Sequence, residues 1–98
     1  MEETARIKFL TPAIRSIFRE LITRLEPLSD FTPSGIEKVF SGLLEEKGLK
    51  LSQLAQPVRV ALTGRTVSPG IYEVMEILGK ERTLDRLKKA VDMIESST

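Results

Sequence analysis

The chain has 98 residues, 15 of them basic and 14 acidic, for a net charge of +1, and it contains neither cysteine nor histidine. That length fits one domain with one core. The composition excludes disulfides, zinc-finger ligand sets, thiol nucleophiles and imidazole acid–base chemistry, and a charge so near zero gives no whole-molecule field for indiscriminate polyanion binding. No apolar run approaches the roughly 20 residues of a membrane helix. Met1-Glu2-Glu3 is acidic where a secretory leader is basic, so a soluble cytoplasmic domain without membrane association is expected.

Residues 1–10 form a leading segment, in which Ile7, Phe9 and Leu10 suit the end of a helix entering from upstream. A stripe then begins: Ile14, Ile17, Phe18, Leu21, Ile22, Leu25 and Leu28 recur at the i, i+3, i+4, i+7 spacing of a buried helix face. Thr11-Pro12 before it suits an N-cap with proline in the first turn. A second helix follows from Ile36, Val39, Phe40, Leu43 and Leu44, opened by Thr32-Pro33 and closed by Gly48 as a left-handed C-terminal residue. The third stripe is Leu51, Leu54, Ala55, Val58, Ala61 and Leu62, ending at Gly64. Pro57 lies inside it, which means either a kinked helix that leaves the Gln53 carbonyl without a donor or a helix that restarts at the proline. The fourth, Ile71, Val74, Met75 and Leu78, is opened by Ser68-Pro69 and closed by Gly79; the last is Leu84, Leu87, Val91 and Ile94, with residues 95–98 read as a fraying tail. No segment alternates with period 2. The expected fold is all-α, a compact bundle of about five helices with short connections, forming a single domain over residues 1–98.

The polar residues offer little for catalysis. Glu45-Glu46, Glu73/Glu76 and Glu81/Asp85 each lie beside lysine or arginine on a charged helical face, as solvated helices do. Gly64, Gly70 and Gly79 read as helix-end residues and form no phosphate-cradling motif. The window from Lys47 to Tyr72 is different. It holds Lys47, Lys50, Arg59 and Arg65 and no carboxylate, so an anionic partner can approach it unopposed. With Val58 at the centre of the third helix's buried face, about 100° per residue puts Arg59 at the edge and Gln56, Val60 and Thr63 outward. Arg and Gln each make paired hydrogen bonds to base edges. The helix start at Ser68-Pro69-Gly70-Ile71-Tyr72 offers unpaired amides, a glycine that keeps nothing in the way, and apolar and aromatic surface for an unstacked base. Each of these features also has a plainer explanation: Arg59 in a salt bridge, Ser68 as an ordinary cap, Ile71 in the core and Tyr72 half-buried.

The ordered block Gln56-Pro57-Val58-Arg59-Val60-Ala61-Leu62-Thr63-Gly64, Ser68-Pro69-Gly70, Leu78-Gly79-Lys80-Glu81-Arg82-Thr83 and Arg86-Leu87 closely resembles the extreme C-terminus of bacterial-type glutamyl-tRNA synthetases. Leu25, Leu28-Ser29-Asp30-Phe31 and Gly48-Leu49-Lys50-Leu51 fit the same pattern, so the resemblance covers essentially the whole chain. It implies the helical anticodon-binding subdomain of a class I synthetase, with tRNA as partner. That tRNA is glutamate tRNA, recognised through its anticodon loop; whether glutamine tRNA is also recognised is left open. Carried over by position, Arg59 contacts a base or phosphate and Ser68, Pro69, Gly70, Ile71 and Tyr72 line a pocket for anticodon bases, with Gln56, Thr63 and Arg65 around them. Some relatives have threonine, leucine and phenylalanine where this chain has Ser68, Ile71 and Tyr72. The nucleotide-binding signatures of a synthetase are absent, so no cofactor is expected on this part. ATP and magnesium belong to the catalytic domain of the parent ligase, and the upstream domains are a further partner.

Two other functions fit the pattern less well. A helix-turn-helix around Leu78-Gly79-Lys80 would place Arg82, Arg86, Lys88 and Lys89 in a DNA major groove, although Asp85 and Asp92 share that helix. An interaction module would dock another protein or the upstream domain on the stripe of the first helix.

Overall fold

The computed structural model describes residues 10–64 and 70–97, the side chains of the last two excepted. Among the described residues there are five α-helices and no strand: α1 Pro12–Leu25, α2 Pro33–Lys47, α3 Leu51–Thr63, α4 Ile71–Leu78 and α5 Lys80–Ser97. All five expected stripes are therefore helices.

The two Thr-Pro starts behave differently. Both threonines have extended backbone, but only Thr32 caps with its side chain, accepting from the Gly35 amide at 3.2 Å while donating to Asp30 Oδ2 at 3.1 Å. The α2 helix ends at Gly48, whose φ of 65° is left-handed; the Leu49 amide then reaches back to the Leu44 carbonyl at 2.9 Å, closing the helix as such a residue does. Helix α3 begins with the Gln53 side chain accepting from the Lys50 amide at 2.7 Å, and ends at Gly64, whose amide donates to the Val60 carbonyl at 2.9 Å.

Pro57 lies inside α3, which runs unbroken past it, so the helix does not restart there. Gln53, whose carbonyl loses its amide partner, is exposed, and solvent can take the place of the missing donor. The proline ring itself is buried and packs where an ordinary side chain would.

The core is continuous through the bundle. Phe18, Leu21 and Leu25 from α1, Ile36, Phe40 and Leu43 from α2, Leu54, Val58 and Val60 from α3, Met75 from α4 and Leu87 from α5 are all fully buried. Helix α1 packs most extensively along α5, while α2 bridges α1 and α4, and α3 lies against α5, α2 and α4. The first and last helices are thus partners. The α5 helix continues to Ser97, and Glu95 pairs with Arg19 and, at 4.0 Å, with Arg15 of α1. Thr98 and the leading residues 1–9 lie outside the described residues.

A single residue, Gly79, joins α4 to α5. Its φ of 86° and ψ of 159° fall in a region open essentially to glycine alone. Beside it Thr83 is fully buried and donates from Oγ1 to the Met75 carbonyl at 3.4 Å, while Lys80 Nζ donates to the Leu28 carbonyl at 3.0 Å.

Candidate nucleic-acid interface

The outer edge of α3 is narrower than its hydrophobic pattern implies. Val60, expected outward, is fully buried, because α3 is covered by three other helices and buries Leu54, Ala55, Pro57, Val58, Val60, Ala61 and Leu62 together. What remains is a strip at i, i+3 and i+7: Gln56 and Arg59, both half-buried, and Thr63, exposed. The Thr63 hydroxyl donates to the Arg59 carbonyl at 2.7 Å, which holds the last turn of the strip together. The side-chain oxygen of Gln56 is buried and has no hydrogen-bond partner among the described residues. A buried acceptor left in that state costs about 1–3 kcal/mol and calls for a reason in its own surroundings.

Helix α4 begins at Ile71, with exposed Gly70 as its N-cap and no capping side chain among the described residues. Ser68, Pro69 and Arg65 lie outside the described residues, so the expected opening at Ser68-Pro69 does too. The Glu73 carboxylate leans over Gly70: a Cβ on that glycine would come within 3.0 Å of Glu73 Oε2. The carboxylate-free window stops one residue short of Glu73, and in the fold that residue already faces the positive end of α4. Such an end suits a neutral base edge carrying donors better than a bare phosphate.

Ile71, expected as an apolar wedge for a base, is only 4% exposed and packs in the core, so at the surface it has only its backbone to offer. Tyr72 is half-buried. Its ring stands edge-on to Phe40, with centroids 5.2 Å apart and planes at 86°, the favoured geometry for an aromatic pair. Burial first, and the nearby Glu37 carboxylate second, raise its hydroxyl above the ordinary pKa of 10.0. Nothing in the pattern of the chain marks the unpartnered Gln56 oxygen or the reach of Glu73 back to Gly70. Both depend on side-chain direction, although glutamate in the first turn of a helix is a readable sign of the second.

Of the four basic residues of α5 that a DNA groove would use, three are engaged within the bundle and Arg82, among the described residues, is not. Arg86 donates to the Leu62 carbonyl at the end of α3, Lys88 pairs with Glu26 at 3.8 Å and Lys89 with Asp85 at 3.0 Å. The α4–α5 joint has one residue where a helix-turn-helix uses a turn of about three or four. The α1 stripe, the surface of the docking alternative, is spent on the core: Ile14, Phe18, Leu21, Ile22 and Leu25 are all buried. No helix among the described residues is long and apolar enough to cross a membrane.

The class of this all-helical bundle follows from comparison with known proteins. Residues 1–91 match the family model described as anticodon binding domain, and the chain belongs to that family. It is 51% identical over 92 residues to a glutamate–tRNA ligase of Thermodesulfovibrio yellowstonii, covering 94% of this chain and 20% of that protein. A glutamate–tRNA ligase of Geotalea uraniireducens is 50% identical over 93 residues, covering 95% of this chain and 20% of its own length. The crystal structure of a glutamate tRNA ligase from Elizabethkingia meningosepticum, in complex with its amino acid, superposes with a TM-score of 0.90 at 31% identity, covering 96% of this chain and 18% of that one. The chain therefore spans about a fifth of the length of the relatives it matches.

Proposed function

We propose that this chain is the anticodon-recognition module of a glutamate–tRNA ligase. It selects tRNA, and the ATP- and magnesium-dependent joining of glutamate to that tRNA takes place in the cytoplasm on a catalytic domain outside this sequence. Its partners are the anticodon loop of glutamate tRNA and the upstream domains of the same enzyme. Glutamine tRNA is a second substrate to be tested beside it. The carrying observation is the α3 strip, where half-buried Gln56 and Arg59 and exposed Thr63 recur at i, i+3 and i+7 on the one edge of the helix that its neighbours leave uncovered.

The mechanism is one of position. Arg59 brings donors and the Glu73 carboxylate over Gly70 an acceptor, and the Gln56 side chain, whose oxygen is buried without a partner in the free chain, turns outward to join them on an unstacked base edge. The Ile71 backbone and half-buried Tyr72 add to the surface and Thr63 stiffens it; Arg65, Ser68 and Pro69, outside the described residues, join it as candidates by sequence. A base whose groups fall in the wrong order leaves polar atoms buried and unpaired, and that penalty produces discrimination.

The test is a titration of the isotope-labelled chain with an anticodon stem-loop. Shift changes centred on residues 56–73 are expected, and Arg59→Ala is expected to weaken binding by about 1–3 kcal/mol, the cost of one specific base interaction. Wild-type affinity in that variant would remove Arg59 from the site, and an RNA-silent spectrum would remove the function.

A further inference from the structure

The α3 strip does not end at Thr63. Thr63 also lines a cleft of about 340 Å³ between the end of α3 and the side of α5, together with Leu62, Gly64, Arg86, Lys89 and Met93. That volume falls at the lower end of ligand-sized clefts, about 300–1,000 Å³. Arg82, Arg86 and Lys89 occur at i, i+4 and i+7, one stripe of α5. All three are exposed, and Arg82 has no ion pair or hydrogen bond among the described residues. Asp85, paired with Lys89 at 3.0 Å, is the carboxylate that opposes them.

We infer that this cleft and stripe form a phosphate-binding track for the RNA strand that leads away from the anticodon loop, a deepening that rests on the function proposed above. Two physical points favour it. The C-terminal end of a helix repels anions through its carbonyls, but here a cation, Arg86, takes the Leu62 carbonyl and the Gly64 amide takes the Val60 carbonyl, which weakens that repulsion at the end of α3. Second, the cleft is mixed: Leu62 and Met93 offer apolar surface to a ribose, while Lys89 and the outer edge of Arg86 offer charge to the phosphate. Arg86 is partly committed to holding α3, so the adjustable charges are Arg82 and Lys89. Phosphate interactions of this kind position an RNA without reading its sequence.

The experiment compares the wild-type chain with Arg82→Ala/Lys89→Ala, Asp85→Asn and Arg59→Ala, in binding to stem-loops of two anticodon sequences over a range of salt. The double variant should lose affinity equally for both sequences. Its plot of log affinity against log salt should become shallower by about 0.7–0.9 for each phosphate that is no longer neutralised. Asp85→Asn should bind more tightly. An unchanged salt slope in the double variant, or weaker binding by Asp85→Asn, overturns the track. If Arg59→Ala changes the preference between the two sequences while the double variant behaves as wild type, the track fails and anticodon recognition stands. If the wild-type chain binds neither RNA, both fall together.

Discussion

Gly35 and Gly48 are held by opposite constraints. A Cβ on Gly35 would lie 2.1 Å from the Asp30 carbonyl oxygen, so Gly35→Ala must push backbone aside; a loss of about 1–3 kcal/mol or more is expected from urea unfolding. Around Gly48 nothing lies within 4 Å, but its φ is 65°. Gly48→Ala should therefore cost about 1–2 kcal/mol through backbone conformation alone, and Gly48→Asn distinctly less, because asparagine tolerates that region. Tyr72 is the only tyrosine in the chain, and there is no tryptophan, so alkaline absorbance reads its ionisation directly. The midpoint should lie above 10.0, and Glu37→Gln should lower it only in part, since burial is the larger cause. The folded state then holds this proton more tightly than the unfolded chain. Its contribution to stability is complete below pH 10 and declines as the pH rises above it. A midpoint at or below 10.0 would contradict the half-buried ring.

At the scale of elements, capping separates what a pattern reveals from what it does not. Thr11-Pro12 and Thr32-Pro33 are the same signal, yet only Thr32 bonds an amide, since Asp30 orients its hydroxyl and Gly35 brings the donor. Thr32→Ala is expected to cost about 1 kcal/mol in thermal or urea unfolding, and Thr11→Ala less. The helices themselves are legible because each buries one stripe, and the first four each begin on a proline or end on a glycine. Val60 departs from the pattern because a stripe locates the centre of a buried face but not its width, which is set by how many neighbours cover the helix. The continuation of α5 past Ile94 is hidden for a related reason: Glu95 is held by Arg19, 76 residues earlier in the chain. Those pairs are at the surface, so a chain ending at Ile94 should lose no more than about 1 kcal/mol, and less in high salt.

For the molecule as a whole, the α1–α5 packing makes the two ends of the chain interdependent, and the radius of gyration of 12.2 Å is close to the value of about 13 Å for a single domain of 100 residues. Unfolding followed by Tyr72 absorbance and by far-ultraviolet circular dichroism should therefore coincide, as one cooperative core requires; separate transitions would mean that α4 and its Phe40 neighbour melt on their own. The candidate site is legible as a region, since charge and glycine placement concentrate there. Its chemistry is not, because the orphaned Gln56 oxygen, the Glu73 carboxylate and the Arg86 brace on α3 all arise from residues meeting in three dimensions. The joint at Gly79 has one more implication. With one residue between α4 and α5, and Lys80 and Thr83 fastening both sides, α4 has no slack at its rear end. Inserting a residue there would turn the whole of α4 about its axis and carry Tyr72 away from Phe40. Changes of length at the other end, between Gly64 and Gly70, would leave the heading of α4 intact. Redesign of the proposed base preference therefore belongs in that stretch, with the Gly79 joint left untouched as the fixed bearing.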